Sequence, residues 1–157
     1  MKFRLSICLI LFFATVCNLN AQVNKKPGYE LAVKTSLKEK ISGIDYWTVK
    51  CTLVNSTKDT LQYLSMSCSW TDFYLTNKKE LEIEGLLCDK NFPVIIKVAP
   101  GGKRDVALRL FFRKGFTKQT SLPFKVGLNL IATSSTLDFE KKVKIKNIIW
   151  SNEISIW

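Results

Sequence analysis

Apolar side chains recur at every second residue along most of this chain, and this period limits its possible folds more than any other feature. Leu31 and Val33 alternate with mostly polar neighbours, and Val106, Leu108 and Leu110 repeat the pattern. A period of two puts alternate side chains on opposite faces of a β-strand, whereas a helix needs apolar residues three and four apart. The pattern covers residues 29–37, 47–53, 64–70, 81–83, 94–98, 106–112, 124–130, 143–150 and 154–157. The sequence therefore predicts an all-β chain of about eight strands.

Clusters of turn-forming residues separate these segments. Glycine, proline and short polar side chains adopt the backbone angles that tight turns require. Short strands at this spacing are typical of an antiparallel immunoglobulin-like β-sandwich, and residues 22–157 contain no linker, so a single domain is expected. One turn, Asn55-Ser56-Thr57, also matches the acceptor pattern for N-linked glycans, but the leader is of bacterial type and a turn is preferred. The clusters lie at 42–43, 55–59, 77–79, 100–102, 114–115 and 134–135.

The amino terminus has the pattern of a cleavable secretory signal. Lys2 and Arg4 precede an apolar run over residues 5–16, and Ala21 is a small residue at a suitable cleavage point. Residues 1–21 are therefore predicted to be a signal peptide, and the mature domain, 22–157, to be exported to the periplasm or the cell exterior. Acylation of Cys17, as in an outer-membrane lipoprotein, is disfavoured because Val16 occupies the position that needs a small residue.

Charge suggests the class of partner. Removal of Lys2 and Arg4 reduces the 24 basic residues to 22, against 13 acidic residues, so the mature chain has a net charge of +9. Such a field favours anionic surfaces, and in an exported protein these are envelope glycans or acidic proteins and not nucleic acid. The mature chain has no second apolar run long enough for a transmembrane segment, which takes about 20 residues.

The stretch MSCSW, residues 66–70, places a cysteine and a tryptophan two residues apart. In a strand, Cys68 and Trp70 point to the same face as Leu64 and Met66, which is the apolar face. A tryptophan packed on a disulfide is typical of the interior of immunoglobulin-like domains. The stretch is therefore interpreted as core and not as a reactive site.

Three cysteines remain after signal cleavage, and an oxidising compartment predicts one disulfide. A hairpin with Lys78 at its tip would put Cys68 opposite Cys88, provided that the strands change parity near Thr71 and bulge near Gly85. A hairpin across residues 55–61 would instead put Cys51 opposite Cys68. The Cys68–Cys88 pair is favoured and the alternative stays open; Cys51 is then expected to be a buried apolar residue.

The segments LVNSTKDTLQYLSMSCSW, CDKN and VAPGG, within Leu53 to Gly102, resemble uncharacterised small exported immunoglobulin-like proteins of Bacteroidota-type bacteria. Asn55 and Pro100-Gly101 are also similar to the layout of the bacterial intracellular proteinase inhibitor family, whose members are small β-sandwiches. The first resemblance implies an exported sandwich, and the second implies inhibition of a protease. Neither resemblance assigns a binding residue.

The chain contains no histidine, which excludes imidazole-activated nucleophiles and histidine zinc sites. The cysteine spacings match no metal-binding pattern, so no catalytic residue, metal or cofactor is predicted. Glu80, Glu82 and Glu84 share one strand face and are suited to calcium binding or acid–base catalysis. The preferred interpretation is a solvated face near a sheet edge, paired with the alternating lysines at 142, 144 and 146.

Two positions are candidates for a binding surface. Arg109, Phe111 and Arg113 alternate with core residues and would form an exposed aromatic flanked by cations. Lys90 lies in the segment 88–93, which would protrude from the disulfide as an inhibitory loop. We expect a non-catalytic exported binding or structural module whose partner is a protein or an anionic envelope glycan. The alternatives are a carboxylate-dependent hydrolase and a protease inhibitor.

Overall fold

A computed structural model describes residues 28–115 and 121–156 of the protein. Most of these residues lie in antiparallel strands, so the prediction of an all-β chain is confirmed. The predicted signal peptide and Cys17 lie outside the described residues. Within them, no helix has the length and apolar character needed to cross a membrane.

The described residues form eleven strands, a 3-10 helix and one short α-helix. The 3-10 helix covers Trp70–Phe73, and the α-helix, α1, covers Phe139–Lys142. The strands are β1 (Tyr29–Ile41), β2 (Ile44–Asn55), β3 (Leu61–Met66), β4 (Tyr74–Thr76), β5 (Leu81–Ile83), β6 (Pro93–Val98), β7 (Lys103–Phe112), β8 (Leu122–Phe124), β9 (Val126–Asn129), β10 (Ile148–Trp150) and β11 (Ile154–Ile156).

The largest sheet has the strand order β1-β2-β7-β5, and every neighbouring pair is antiparallel. Period two explains its two faces, because Val49 and Cys51 of β2 are buried while Lys50 between them is exposed. On β7 the same alternation buries Leu108 and Leu110. One face of this sheet is therefore core, and the other faces solvent.

Three smaller sheets complete the fold: β3 with β6, β4 and β10 on either side of β9, and β8 with β11. Their buried side chains join those of the large sheet in one apolar cluster. Burial of each large aliphatic or aromatic side chain stabilises the fold by about 1.5–3 kcal/mol. The largest side chains with almost no exposed surface include Trp47, Phe124, Leu53, Leu61, Leu64, Leu108, Leu110 and Leu128.

A β-bulge in β1 changes which residues face the core. The register between β1 and β2 shifts between Thr35 and Leu37. An extra residue in one strand reverses the direction of the side chains that follow it. Leu31 and Val33 are buried as the pattern predicts, but Leu37 is half exposed, so its predicted place on the apolar face is wrong.

The MSCSW stretch leaves the strand sooner than its period predicts. β3 ends at Met66, and the chain turns into the 3-10 helix, where the Asp72 amide donates to the Ser69 carbonyl at 3.0 Å. The predicted strand through Trp70 is therefore wrong, because residues 67–69 form a local turn. Trp70 is nevertheless half-buried against the core, with its ring edge-on to Tyr74 at 6.0 Å between centroids.

The hairpin predicted at Lys78 is also wrong. β4 pairs with β9 and β5 pairs with β7, so the two segments belong to different sheets. The second predicted hairpin, across residues 55–61, fails for the same reason, because β2 and β3 lie in different sheets. Both turns carry the chain between sheets instead of reversing it within one.

The strand predicted over residues 143–150 is mostly absent. α1 precedes it, and only residues 148–150 pair with β9. The Lys142 ammonium donates to the Ser135 carbonyl at 2.8 Å and to the Thr133 hydroxyl at 3.2 Å, which fixes the end of the helix. Lys142, Lys144 and Lys146 therefore do not form the predicted basic strand face.

Asn55 joins two turns from inside the protein. Its side-chain nitrogen lies 2.8 Å from the Asp59 carbonyl oxygen, 3.0 Å from that of Val98 and 3.1 Å from that of Ala99. The side-chain oxygen accepts from the Thr57 amide and hydroxyl at 3.0 and 2.7 Å. Asn55 is fully buried, so the glycan interpretation is wrong and the residue is structural.

Candidate functional site

The segment 84–92 connects β5 in the four-stranded sheet to β6 in a different sheet, and we call it the anchored loop. A disulfide joins Cys88, near its middle, to Cys68, with 6.2 Å between the Cα atoms. This is the favoured of the two predicted pairings, although β3 and β6 bring the cysteines together and the predicted hairpin does not. Cys51 is a buried free cysteine in β2.

Asn91 fixes the carboxyl-terminal part of the anchored loop. Its side-chain oxygen accepts from the backbone amides of Cys68 and Ser69, both at 3.3 Å. Its side-chain nitrogen donates to the Ser69 hydroxyl at 2.7 Å. In addition, the Ser67 amide donates to the Phe92 carbonyl at 2.9 Å and continues the pairing of β3 with β6. The loop is thus held by a covalent bond and by several hydrogen bonds.

Apolar side chains protrude from this fixed loop. Leu87 is fully exposed, Phe92 is 59% exposed and Leu86 is 43% exposed. Lys90 and Asp89 are exposed in the same loop. Apolar groups that are displayed on a rigid segment are suited to bind a protein partner, because little conformational entropy is lost on binding. Asp89, Lys90 and Phe92 lie in the segment 88–93 that the sequence predicts as a protruding loop. Leu86 and Leu87 precede that segment and were not predicted; two adjacent leucines break the period of two, which is the signal that could have identified them.

A cleft of about 240 Å³ lies at the start of the anchored loop. Leu86 and Trp70 contribute apolar surface, and the ion pair of Glu84 with Arg109 borders it. Thr71 also lines the cleft, and its buried hydroxyl has no hydrogen-bond partner within the part of the chain that the structure describes. The full lining is Thr48, Trp70, Thr71, Glu84, Leu86, Ala107, Leu108 and Arg109.

The predicted surface of Arg109, Phe111 and Arg113 lies on the solvent side of the large sheet. The Phe111 ring packs against Tyr46 of the neighbouring β2, with 5.6 Å between ring centroids. Arg109 lies over the same Tyr46 ring at 5.6 Å. The aromatic surface is therefore half covered by its own neighbours instead of protruding.

Both arginines of this surface are paired with glutamates, one in β5 and one directly after it. Arg109 contacts the Glu84 carboxylate at 3.0 Å, and Arg113 contacts the Glu82 carboxylate at 2.6 Å. Glu82 and Glu84 were predicted to pair with lysines, which is wrong because β5 adds to β7. These partly exposed pairs neutralise the surface, and each contributes about 0–1 kcal/mol to stability.

Two further clefts lie on either side of residues 70–76. The larger, about 400 Å³, has an apolar floor that includes Phe73 and Phe139, with Asp72 and Lys146 among the polar lining residues. The other, about 370 Å³, contains Asp72 and Glu82. The Glu82 carboxylate in this second cleft is the one that Arg113 holds.

Buried titratable groups belong to the core. Burial raises the pKa of the Cys51 thiol to about 12, so this thiol is protonated at neutral pH and is a poor nucleophile. Burial also raises the pKa of Tyr63, although Arg104 opposes the shift by its charge and a hydrogen bond. Among residues 28–115 and 121–156, no group of three or more acidic, cysteine or histidine side chains is arranged to hold a metal ion.

Comparison with known proteins gives one structural match. No family model and no curated protein matches the chain. A crystal structure of a FixG-related protein from Vibrio parahaemolyticus is similar to 82% of this chain and to 94% of its own chain. The two sequences are 12% identical over the match, and the TM-score is 0.41.

Proposed function

We propose that the protein is a non-catalytic binding module of the cell envelope: an exported immunoglobulin-like β-sandwich that binds a protein partner through the anchored loop. The observation that supports this function is the display of Leu86, Leu87 and Phe92 on a loop that is fixed at Cys88 and Asn91. A leucine that is completely exposed, as Leu87 is, contributes no buried surface to the fold of its own chain. Binding to a partner would bury it.

The proposed partner is a protein and not a glycan, because the loop is apolar at its most exposed points. Burying a leucine or phenylalanine side chain contributes about 1.5–3 kcal/mol to affinity, and rigid anchors lose little of it to ordering. The arginines that were predicted to contact an acidic sugar already have glutamate partners. An anionic glycan would have to compete with those carboxylates.

Export to the envelope is part of the proposal and is supported by two features. The leader pattern over residues 1–21 is of the secretory type. A structural disulfide also persists in oxidising compartments and is rare in the cytosol. Sequencing the amino terminus of protein from the envelope fraction should give Gln22 as the first residue. Recovery of the uncleaved chain from the cytosol would contradict export.

The binding function is tested by capture from envelope extract with matched variants. Residues 22–157 would be immobilised as wild type, as Leu87→Ser and as Leu137→Ser. Leu137 is a suitable control because it is 75% exposed and is not part of the anchored loop. We expect a protein that is enriched by the wild type and by Leu137→Ser and lost with Leu87→Ser, as measured by quantitative mass spectrometry. Equal capture by all three proteins would contradict the proposal.

Protease inhibition is the second candidate, and it uses the same loop. The exposed Lys90 lies between the disulfide and Asn91, so its backbone is held on both sides. Inhibitory loops need such rigidity to resist cleavage while they occupy a protease. A lysine at the contact position would favour a trypsin-like enzyme, so residual trypsin activity should be titrated against wild type and Lys90→Ala. Full trypsin activity at excess wild type would exclude this candidate for that enzyme class.

A further inference from the structure

One edge of the four-stranded sheet is only partly covered. β5 pairs with β7 over Phe112 to Leu110, and the Glu84 amide adds one bond to the Arg109 carbonyl at 2.8 Å. Over residues 103–108, β7 pairs only with β2 among the strands of the described chain. Lys103, Asp105 and Ala107 are exposed there. We call this part of β7 the open edge.

The open edge directs unpaired backbone groups to solvent. The Arg113 amide bonds the Glu80 carbonyl, and the Arg109 carbonyl accepts from Glu84, so these residues face away from β2. Backbone groups alternate in direction along a strand. Asp105 and Ala107 therefore point their amides and carbonyls in the same outward direction. A strand added here would continue the line of β5.

The opposite edge of the same sheet is protected. The Asn152 side chain bonds both backbone groups of Val33: its oxygen accepts from the Val33 amide at 2.8 Å, and its nitrogen donates to the Val33 carbonyl at 3.1 Å. The bulge between Thr35 and Leu37 interrupts the edge further along. Bulges and capping side chains are the means by which proteins prevent strand addition. The register of β7 has no such break from Lys103 to Phe111.

Charge indicates the chemistry of a strand that would pair with the open edge. Asp105 is neutralised by Lys50, whose ammonium lies 2.7 Å away, and the Thr52 hydroxyl donates to the same residue at 2.6 Å. Hydrogen bonds from these two residues hold the pKa of Asp105 below its ordinary value. Lys103 is exposed on the same face of β7 as Asp105, whereas Arg104 points to the opposite face, where it is exposed and hydrogen-bonds Tyr63. The edge is therefore cationic, which favours an acidic strand and disfavours a second copy of this edge.

The cleft of about 240 Å³ provides a position for a side chain of the added strand. Ala107, in the open edge, and Leu86, in the anchored loop, both line it. A strand that pairs with Ala107 would therefore run beside the cleft, which Trp70 and Arg109 also line. The volume suits an aliphatic side chain such as valine or leucine, whose burial would set the register of the added strand.

We propose that the open edge binds an extended acidic peptide segment of the partner by strand addition, with an aliphatic side chain of that segment in the cleft beside Trp70. This inference rests on the proposed function and names the form of the partner. Backbone hydrogen bonds at Asp105 and Ala107 supply affinity, while the cleft and the cations at Lys103 and Arg104 select the sequence. The anchored loop then contacts the rest of the partner.

The test uses the mature chain and an end-blocked heptapeptide of alternating glutamate and valine. Titration followed by amide NMR should give saturable shifts centred on Asp105 and Ala107, with slower hydrogen exchange of these two amides. A peptide with lysine in place of glutamate should bind at least about tenfold more weakly, because its lysines share one face of the added strand and would lie beside Lys103 in one register or Arg104 in the other. A peptide that is N-methylated at every residue should not bind, because it cannot donate to the edge in either register.

Ala107→Pro removes the outward amide without removing a bond between β7 and β2, and proline is tolerated on an edge in this orientation. It should weaken peptide binding about tenfold or more, whereas Ala107→Thr, which keeps the amide, should bind like the wild type. The N-methylated peptide tests the same bond on the wild-type protein, so the result does not depend on the folding of the proline variant.

Several results would overturn strand addition. These are absence of peptide binding, shifts confined to other residues, or protection of the Asp105 and Ala107 amides without peptide, which would mean that the edge is covered by this chain or by a second copy. The envelope partner separates this inference from the proposed function. If Ala107→Pro captures that partner as the wild type does while Leu87→Ser does not, strand addition is wrong and the binding function stands.

Discussion

Asn55 and Asn91 both hold a loop by reaching across to the backbone of a distant segment, but one does so in the core and the other at the surface. Asn55 is fully buried and ties the turn after β2 to the turn after β6. Asn91 is exposed and ties the anchored loop to residues 68 and 69. An asparagine side chain thus fixes two turns in the core in one case and holds a surface loop in position in the other.

The difference lies in what surrounds each asparagine. Around Asn55, the polar groups of the turn at 55–59 are paired with one another, and the Asn55 backbone amide donates to the Gly102 carbonyl of the other turn at 3.0 Å. Around Asn91, the backbone is equally fixed, but Leu87 and Phe92 point away from the protein. Rigidity at Asn55 serves stability, because buried polar groups must be paired. Rigidity at Asn91 leaves apolar surface unused by the fold, and this surface is where we propose that the partner binds.

The largest expected effect is the loss of the buried asparagine. Asn55→Ala should lower the free energy of unfolding by about 4 kcal/mol, because it removes the hydrogen bonds that this fully buried amide makes to two turns, each of which contributes about 1 kcal/mol. Urea denaturation followed by tryptophan fluorescence measures the change. Ser56→Ala, at the exposed neighbouring residue, is the control and should change stability by less than about 0.5 kcal/mol. Equal stability of Asn55→Ala and Ser56→Ala would mean that the buried side chain of Asn55 does not stabilise the fold, and the proposed difference from Asn91 would then be wrong.

Removal of the disulfide should have the next largest effect. The Cys68→Ser, Cys88→Ser double variant should lose about 3 kcal/mol, given the 20-residue separation of the two cysteines. The same denaturation experiment on reduced wild type should give the same value. A much smaller loss would mean that hydrogen bonds alone fix the anchored loop.

Loss of the exposed asparagine, Asn91, should affect the anchored loop more than the stability of the whole protein. Asn91→Ala should lower the free energy of unfolding by only about 1 kcal/mol, because water can replace its hydrogen bonds. Hydrogen exchange should nevertheless become faster throughout residues 84–92 and stay unchanged in β2 and β7. Asp89→Ala, in the same loop, is the control and should leave both measurements unchanged. A global loss of protection in Asn91→Ala would show that the two asparagines have the same role.

The smallest effect on stability is expected for the most exposed apolar residue. Leu87→Ser should change the free energy of unfolding by less than about 0.5 kcal/mol, because the leucine has no buried surface to lose. Thermal unfolding monitored by circular dichroism checks this value in the protein used for capture. Clear destabilisation would mean that Leu87 packs within the protein and is not displayed for a partner.

The sequence predicts the strands better than their pairing. Alternation identified β1, β2 and β7, because each packs one face on the core, and the turns between them carry clear signals. Alternation does not reveal the single extra residue at the bulge, which reverses Leu37. It also does not reveal that residues 67–73 fold locally, because a turn and a strand can share the same apolar spacing.

The site was only partly predictable, because its geometry depends on contacts between distant segments. The pair Cys68 and Cys88 was favoured, but through a hairpin that β4 and β5 do not form. The arginine surface was identified, yet its neutralisation requires β5 beside β7, a pairing between segments far apart in the chain. The open edge of β7 was not predicted at all. A strand has an open edge where no other strand pairs with it, and the pattern of one strand does not show which strands will pair.

The bond between Asn152 and Val33 has a consequence for self-association. A sheet that could accept strands on both margins would grow into a filament, each new chain offering a site for the next. Here one edge of the sheet is blocked at Val33, because the Asn152 side-chain amide makes the two backbone hydrogen bonds that an added strand would make. An added segment on the far side therefore completes the sheet instead of starting a polymer, and this molecule can recognise extended peptides without becoming a template for its own aggregation.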